Sequence, residues 1–126
     1  MKAEAAFLLD TNICIYILNG SGTAVVRRAE QCLEGELVTS AIVCAEVMVG
    51  ARQRGAGEAA AALFRQVTPL PFDDAAARAY AALDFRRGSF DRLIAAHALS
   101  LGLTLVTNNE RDFAEVPGLV VENWTR

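Results

Sequence analysis

Four acidic residues stand where the local pattern gives an acid chemical work: Asp10, Glu46, Asp91 and Asp112. Asp10 closes a wholly apolar run at residues 5–9. Glu46 is the one acid in a stretch otherwise set by Val43, Val47 and Val49. Asp91 falls in the first turn of a predicted helix, and Asp112 follows a predicted strand at residues 103–107. Carboxylates sharing one cleft repel each other, and such a cluster persists mainly when a cation neutralises it. Ligands that are all oxygen favour Mg²⁺ or Mn²⁺ over zinc. Ions of this kind bind phosphate oxygens and activate water for in-line attack on a phosphodiester. They also invert the local charge, which lets a chain of net charge -3 handle an anionic substrate.

Each acid also has a plainer role. Asp10 could only cap a helix, and Asp91 could only be a first-turn acid favoured by the helix dipole. Glu46 could pair with Arg52 or Arg92, since an acid among valines is costly without a partner. Asp112 could cap or face solvent. The polar residues Thr11, Asn12, Ser40, Thr107 and Asn109 fall at the same predicted strand ends and are supporting candidates. His97, the sole histidine, lies inside an Ala-rich helix and reads as packed or hydrogen-bonded rather than as an acid/base. The chain has neither the flanking pattern of a nucleophile elbow nor a Gly-rich phosphate loop.

The elements that must position these groups alternate. Residues 5–9 predict a central strand apolar on both sides, as in a buried parallel sheet. Asn12 is expected to cap a helix over 13–19 that ends at Gly20-Ser21-Gly22, and Thr23 a second over 24–33. Residues 37–39 predict another strand, and Ser40 opens a helix carrying Glu46. After Gly55-Ala56-Gly57 come a short helix over 58–66 and an edge strand over 67–71, placed at the edge because Pro69 and Pro71 each remove a ladder donor. Asp73 caps a helix to about Arg87, Gly88-Ser89 ends it, and 90–101 form another. A fourth strand over 103–107, a loop or short turn over 108–113 and a fifth strand over 119–121 complete the pattern. Strands separated by helices imply right-handed crossovers and a three-layer α/β/α fold on a parallel sheet of about five strands. Ligands gather at the carboxyl ends of such strands, where strand order reverses.

Length and composition agree with that architecture. At 126 residues, the chain is the size of one domain spanning 1–126, and two halves would each bury too little surface to be stable. Hydrophobic residues at 53% and charged residues at 21% exclude a disordered or low-complexity chain. No apolar stretch approaches the roughly 20 residues of a membrane span, and the start does not read as a secretory signal, so a cytoplasmic protein is expected. Cys14, Cys32 and Cys44 are odd in number and lack metal-site spacing, and read as buried, reduced thiols. The net acidity argues against a protein that grips nucleic acid over its whole surface but leaves local binding open. Arg27, Arg28, Arg52, Arg54, Arg65, Arg86, Arg87 and Arg92 suit phosphate contacts, and a solvated helix face explains them equally.

The segments Leu8-Leu9-Asp10-Thr11-Asn12-Ile13, Ser40 to Gly50 with Glu46, Phe90-Asp91-Arg92-Leu93-Ile94-Ala95-Ala96-His97-Ala98 and Leu105-Val106-Thr107-Asn108-Asn109 resemble PIN-domain ribonucleases, above all the VapC toxins of bacterial toxin–antitoxin pairs. The likeness runs in order through Phe113, Val116-Pro117-Gly118-Leu119 and Glu122-Asn123-Trp124. It implies a Mg²⁺- or Mn²⁺-dependent endoribonuclease in which Asp10, Glu46 and Asp91 are catalytic and Asp10 and Asp91 hold the metal. It also implies structured RNA such as tRNA as substrate, a cognate VapB-like antitoxin, a homodimer and a toxin–antitoxin hetero-oligomer. Thr11 and Thr107 match polar residues that line the family's site. A fourth acid of the family falls on Asn109, and either Asn109 itself or Asp112 fills that role. The stretch from Leu83 to Asp91 is shorter than in many relatives. The rival readings are a metal-dependent DNA nuclease or phosphohydrolase using the same acids, and a non-catalytic binding module if the acids do not converge.

Overall fold

The apolar runs become strands because both of their faces are covered. In the computed structural model, which describes residues 3–83 and 89–126, β1 (Phe7–Leu9), β2 (Leu37–Ser40), β3 (Thr68–Leu70), β4 (Thr104–Val106) and β5 (Val121–Glu122) form one parallel sheet. Its order is β3-β2-β1-β4-β5. Leu8, Leu9, Leu105 and Val106 in β1 and β4, two of the three inner strands, are fully buried, and each contributes roughly 1.5–3 kcal/mol relative to an exposed side chain. That burial sets β1 at the centre. The Thr39 hydroxyl adds a 2.7 Å hydrogen bond to the Leu9 carbonyl across β2 and β1.

Among the described residues, seven helices connect the strands: α1 (Thr11–Asn19), α2 (Thr23–Glu30), α3 (Ala41–Gln53), α4 (Gly57–Gln66), α5 (Asp74–Ala82), α6 (Phe90–Leu101) and α7 (Glu110–Phe113). Right-handed crossovers lay the connections to β2 and β3 over one face and those to β4 and β5 over the other, giving the expected three layers. After β3 the chain crosses back to place β4 on the far side of β1. The strand order therefore reverses between β1 and β4, where the register sets Leu9 beside Val106. Asp10 and Thr107 are the next residues on each strand. Pro69 lies in β3 at the sheet edge, as its missing N–H requires.

Several boundaries differ from the sequence expectation. Asp10, not Asn12, caps α1: its backbone is extended and its carboxylate accepts the Thr11 N–H, so the helix starts two residues early. Asn12 turns instead to Asn108. Thr23 is the first residue of α2 rather than its cap, behind Gly22, and α2 stops at Glu30 rather than Leu33. The 108–113 segment contains the short helix α7, and β5 pairs at 121–122, later than the 119–121 expected, because the Leu105 and Thr107 amides donate to the Val120 and Glu122 carbonyls. The helix after Asp73 ends at Ala82, and the expected continuation to Arg87 lies outside the described residues. Gly20 ends α1 with φ +63°, a left-handed conformation that a side chain would strain.

The three cysteines are free thiols, but of the three expected to be buried only Cys14 is, and burial pushes its pKa up to about 12; Cys32, just past the end of α2, and Cys44, on the partly open face of α3, are half-buried. No helix among the described residues is long and apolar enough to cross a membrane.

Candidate active site

Asp10 sits at the carboxyl end of β1 with only 7% of its surface exposed. Its Oδ1 accepts the Thr11 N–H at 2.7 Å, and its Oδ2 accepts the Thr107 hydroxyl at 2.8 Å across the strand reversal. Burial pushes its carboxyl above the ordinary value. The Thr107 and Thr11 bonds oppose that rise, while the charges of Glu46 and Asp112 add to it. A carboxylate here is therefore held by two donors and crowded by two further acids.

Those acids join Asp10 through a continuous chain of hydrogen bonds. On one side the Thr11 hydroxyl donates to Glu46 Oε1 at 2.8 Å, fixing an acid that enters from the second turn of α3. On the other, Thr107 Oγ1 accepts the Asn109 N–H at 3.1 Å, and the Asn109 side-chain amide donates to Asp112 Oδ2. Glu46, Thr11, Asp10, Thr107, Asn109 and Asp112 thus form one polar path over three elements and two strand ends. Asn109 and Asp112 are not alternatives in this arrangement, because the first holds the second.

Asp91 reaches the site from the first turn of α6, whose N-terminus is capped by the Ser89 hydroxyl accepting the Arg92 N–H. Burial raises its carboxyl first, and the charges of Asp10 and Asp112 raise it further. Four acids therefore share one electrostatic field. Among the described residues, no three or more His, Cys, Asp or Glu side chains are placed to hold a metal ion between them. Oxygen donors that crowd electrostatically without forming a cage suit a hard cation held by one or two carboxylates and otherwise by water, the habit of Mg²⁺.

Ser40 contacts none of these acids through its side chain. Its hydroxyl accepts the Ile42 N–H at 3.1 Å and lies 2.8 Å from His97 Nδ1, so it serves the site by starting the helix that carries Glu46. His97 is buried, edge-on to Phe72 and within reach of the Pro71 backbone carbonyl, which matches the packed histidine expected. Burial lowers its pKa, keeping the ring neutral. Tyr16 is the neighbour that the sequence reading did not place at the site, and it is joined there by Asn108 of the strand-end motif. Asn108 is held between the Asn12 side-chain amide and the Tyr16 hydroxyl, each at 3.3 Å. The available signal was the i, i+4 placement of Asn12 and Tyr16 on one helix face.

Residues 7–119 match the PIN domain family. The chain is 37% identical over 130 residues to a tRNA(fMet)-specific endonuclease VapC of Shigella flexneri, covering 94% of this chain and 98% of that protein. It is 30% identical to a ribonuclease VapC2 of Rickettsia felis, covering 95% and 98%. Among solved structures, VapBC-1 of nontypeable Haemophilus influenzae superposes with a TM-score of 0.82 at 29% identity over 96% of this chain and 99% of the other. DNA-bound VapBC of Salmonella typhimurium superposes at 0.79, with 30% identity over 95% and 98%. With its acids gathered at the strand reversal and these relatives matched almost end to end, the chain belongs to the PIN-domain family and, within it, to the VapC ribonucleases.

Proposed function

We propose that this chain is a divalent-metal-dependent endoribonuclease, the toxin of a toxin–antitoxin pair, acting in the cytoplasm on structured RNA such as tRNA. The observation that carries the reading is the hydrogen-bonded path from Glu46 through Asp10 to Asp112, with Asp91 in the same field. The relative from Shigella flexneri, a tRNA(fMet)-specific endonuclease, supports tRNA as the substrate class. Asp10 and Asp91 would hold Mg²⁺ or Mn²⁺. When bound, such an ion withdraws charge from a phosphoryl oxygen and makes water a stronger nucleophile at neutral pH. Asp10 is oriented for this by Thr11 and Thr107, which leave its carboxylate little rotational freedom. Glu46, anchored by Thr11, stands as the group that orients water or accepts its proton, and Asp112 adds negative charge opposite it. A cognate antitoxin silences the site, a reading supported by the VapBC complexes among the structural neighbours. The active species is a homodimer of single-domain chains.

The test is cleavage of a tRNA transcript by the purified chain, with and without EDTA, compared with Asp91→Asn. Cleavage that needs added Mg²⁺ or Mn²⁺ and disappears in Asp91→Asn is the expected result. Activity surviving chelation, or full activity in the variant, overturns the reading, and preference for DNA over RNA favours the DNA-nuclease alternative.

A further inference from the structure

A second polar cavity lies away from the acids. It has a volume of about 450 Å³ and is lined by Arg27, Arg28, Gln31, Asn123, Trp124 and Arg126, with Ala24. Three guanidinium groups and two side-chain amides face it, and no described carboxylate lines it. That is a concentration of positive charge in a chain of net charge -3.

The cations are not spent on internal pairing. Arg126 is bridged to Glu110, but neither Arg27 nor Arg28 forms an ion pair among the described residues. Of the nearby acids, Glu36 accepts the Leu33 N–H, and Glu122 accepts the indole N–H of Trp124, on which Arg28 stacks, without pairing with either arginine. Arg28 is fixed in place: its guanidinium carbon lies 4.6 Å from the Trp124 ring centroid and 5.2 Å from that of Phe7, and those rings meet edge to face. Trp124 is 5% exposed, so it offers no free face to a base and acts instead as a platform that holds Arg28. The α2 macrodipole explains basic residues in its last turn. It does not explain the aromatic platform or an acid-free lining.

One wall of the cavity is the segment that follows β5. Asn123 directly follows β5, whose Glu122 carbonyl accepts the Thr107 N–H, and its side chain donates to Glu110 at the start of α7. Arg28 stacks on Phe7, at the opposite end of β1 from Asp10. Only a substrate that extends well past the cleavage point, as a folded tRNA does, would reach it.

The geometry points to a second, sequence-independent RNA site in which Arg27 and Arg28 take backbone phosphates of the substrate outside the cleavage point. This rests on the nuclease reading. Planar guanidiniums suit phosphate oxygens in a bidentate manner, and one already immobilised by stacking loses little freedom on binding. The pocket adds affinity and orientation but no sequence preference, because phosphates are the same at every nucleotide.

The experiment measures binding of an unmodified initiator tRNA transcript in EDTA, where it is not cleaved, over a range of salt concentrations. The comparison is the unaltered chain against Arg27→Gln/Arg28→Gln. The double variant is expected to bind about tenfold more weakly, with a log K against log salt slope shallower by about one to two. Arg27→Gln alone, which breaks no hydrogen bond, ion pair or ring contact among the described residues, should show about half of that slope change, and Arg28→Lys should retain most of the slope. With Mg²⁺, cleavage of a short oligonucleotide that covers only the scissile bond should be unchanged in Arg27→Gln. Equal affinity and slope in all variants overturn the proposal, as does failure of the unaltered chain to bind the transcript. Loss of antitoxin binding with RNA affinity intact overturns it in favour of a protein-binding surface. Failure of the nuclease reading is separate: it appears as no cleavage of either RNA by the unaltered chain, whatever the binding in EDTA.

Discussion

Replacing Asp10 separates what its charge does from what its hydrogen bonds do. Asp10→Asn keeps an oxygen to accept the Thr11 N–H and turns an amide toward Thr107, whose hydroxyl can rotate to accept it. Asp10→Ala removes both. It loses the α1 cap, at about 1 kcal/mol, and strands the fully buried Thr107 hydroxyl, at about 1–3 kcal/mol. Relief of a carboxylate that burial already disfavours offsets part of this. The net expectation in EDTA is a loss of about 2 kcal/mol for Ala, or roughly 8 °C in Tm, against no loss or a small gain for Asn. Both variants should lose cleavage by on the order of a hundredfold or more. Thermal unfolding by circular dichroism and a tRNA cleavage assay decide it. Equal destabilisation by Asn and Ala would refute the view that the folded state tolerates the charge rather than gains from it. An Asn variant that cleaves normally would remove Asp10 from the chemistry.

Thr11→Val should unlock Glu46 and reduce cleavage roughly tenfold with less than about 1 kcal/mol of destabilisation, and Thr11→Ser should restore it. No rescue by Ser would show that the hydroxyl is not the anchor. Asp112→Asn and Asn109→Ala should impair cleavage to similar extents, because the Asn109 amide holds Asp112; normal cleavage by Asp112→Asn beside a dead Asn109→Ala would assign the role to Asn109. His97 titrates below its ordinary 6.5 because it is buried. The unfolded chain therefore binds the proton first, and the stability contributed by the neutral ring, present above that value, is lost as pH falls through the lowered one. His97→Gln should flatten urea-measured stability below pH 6.5 and keep most activity; a steep loss of cleavage in a folded variant would reopen an acid/base role.

The strands and the acids were legible because burial and charge leave strong marks. A run as apolar as residues 5–9 ending in an acid can hardly be anything but an inner strand opening onto a site, and Pro69 marks its strand as an edge. What was lost is geometry that depends on a partner far along the chain. Asp10 displaces Asn12 as cap because a residue leaving a strand already has the extended backbone a cap needs. The β5 register shifts because Glu122 pairs with Thr107 rather than with anything local. The same holds for Thr11 with Glu46, separated by 35 positions, and for Asn108 with Tyr16. Polar residues at strand ends announce a site, but their pairing is decided by strand order.

The four acids are also held by different means, and this orders their roles. Asp10 is the cap of α1 and accepts the Thr11 N–H, and Asp91 is the second residue of α6, so each sits at the positive end of a helix dipole before any cation arrives. That support is built into the backbone and cannot move without unwinding a turn. Glu46 lies too far along α3 for the dipole and depends on one hydroxyl; Asp112 is exposed on the single turn of α7 and depends on one amide. The first pair is therefore the rigid half of the cluster and the second the adjustable half. A rigid half suits the acids assigned to holding the ion, because ligand geometry is set before binding. An adjustable half suits groups that must follow water or substrate through a reaction. Thr11 joins the two halves, its N–H on Asp10 and its hydroxyl on Glu46, so a shift of α1 changes both acids together.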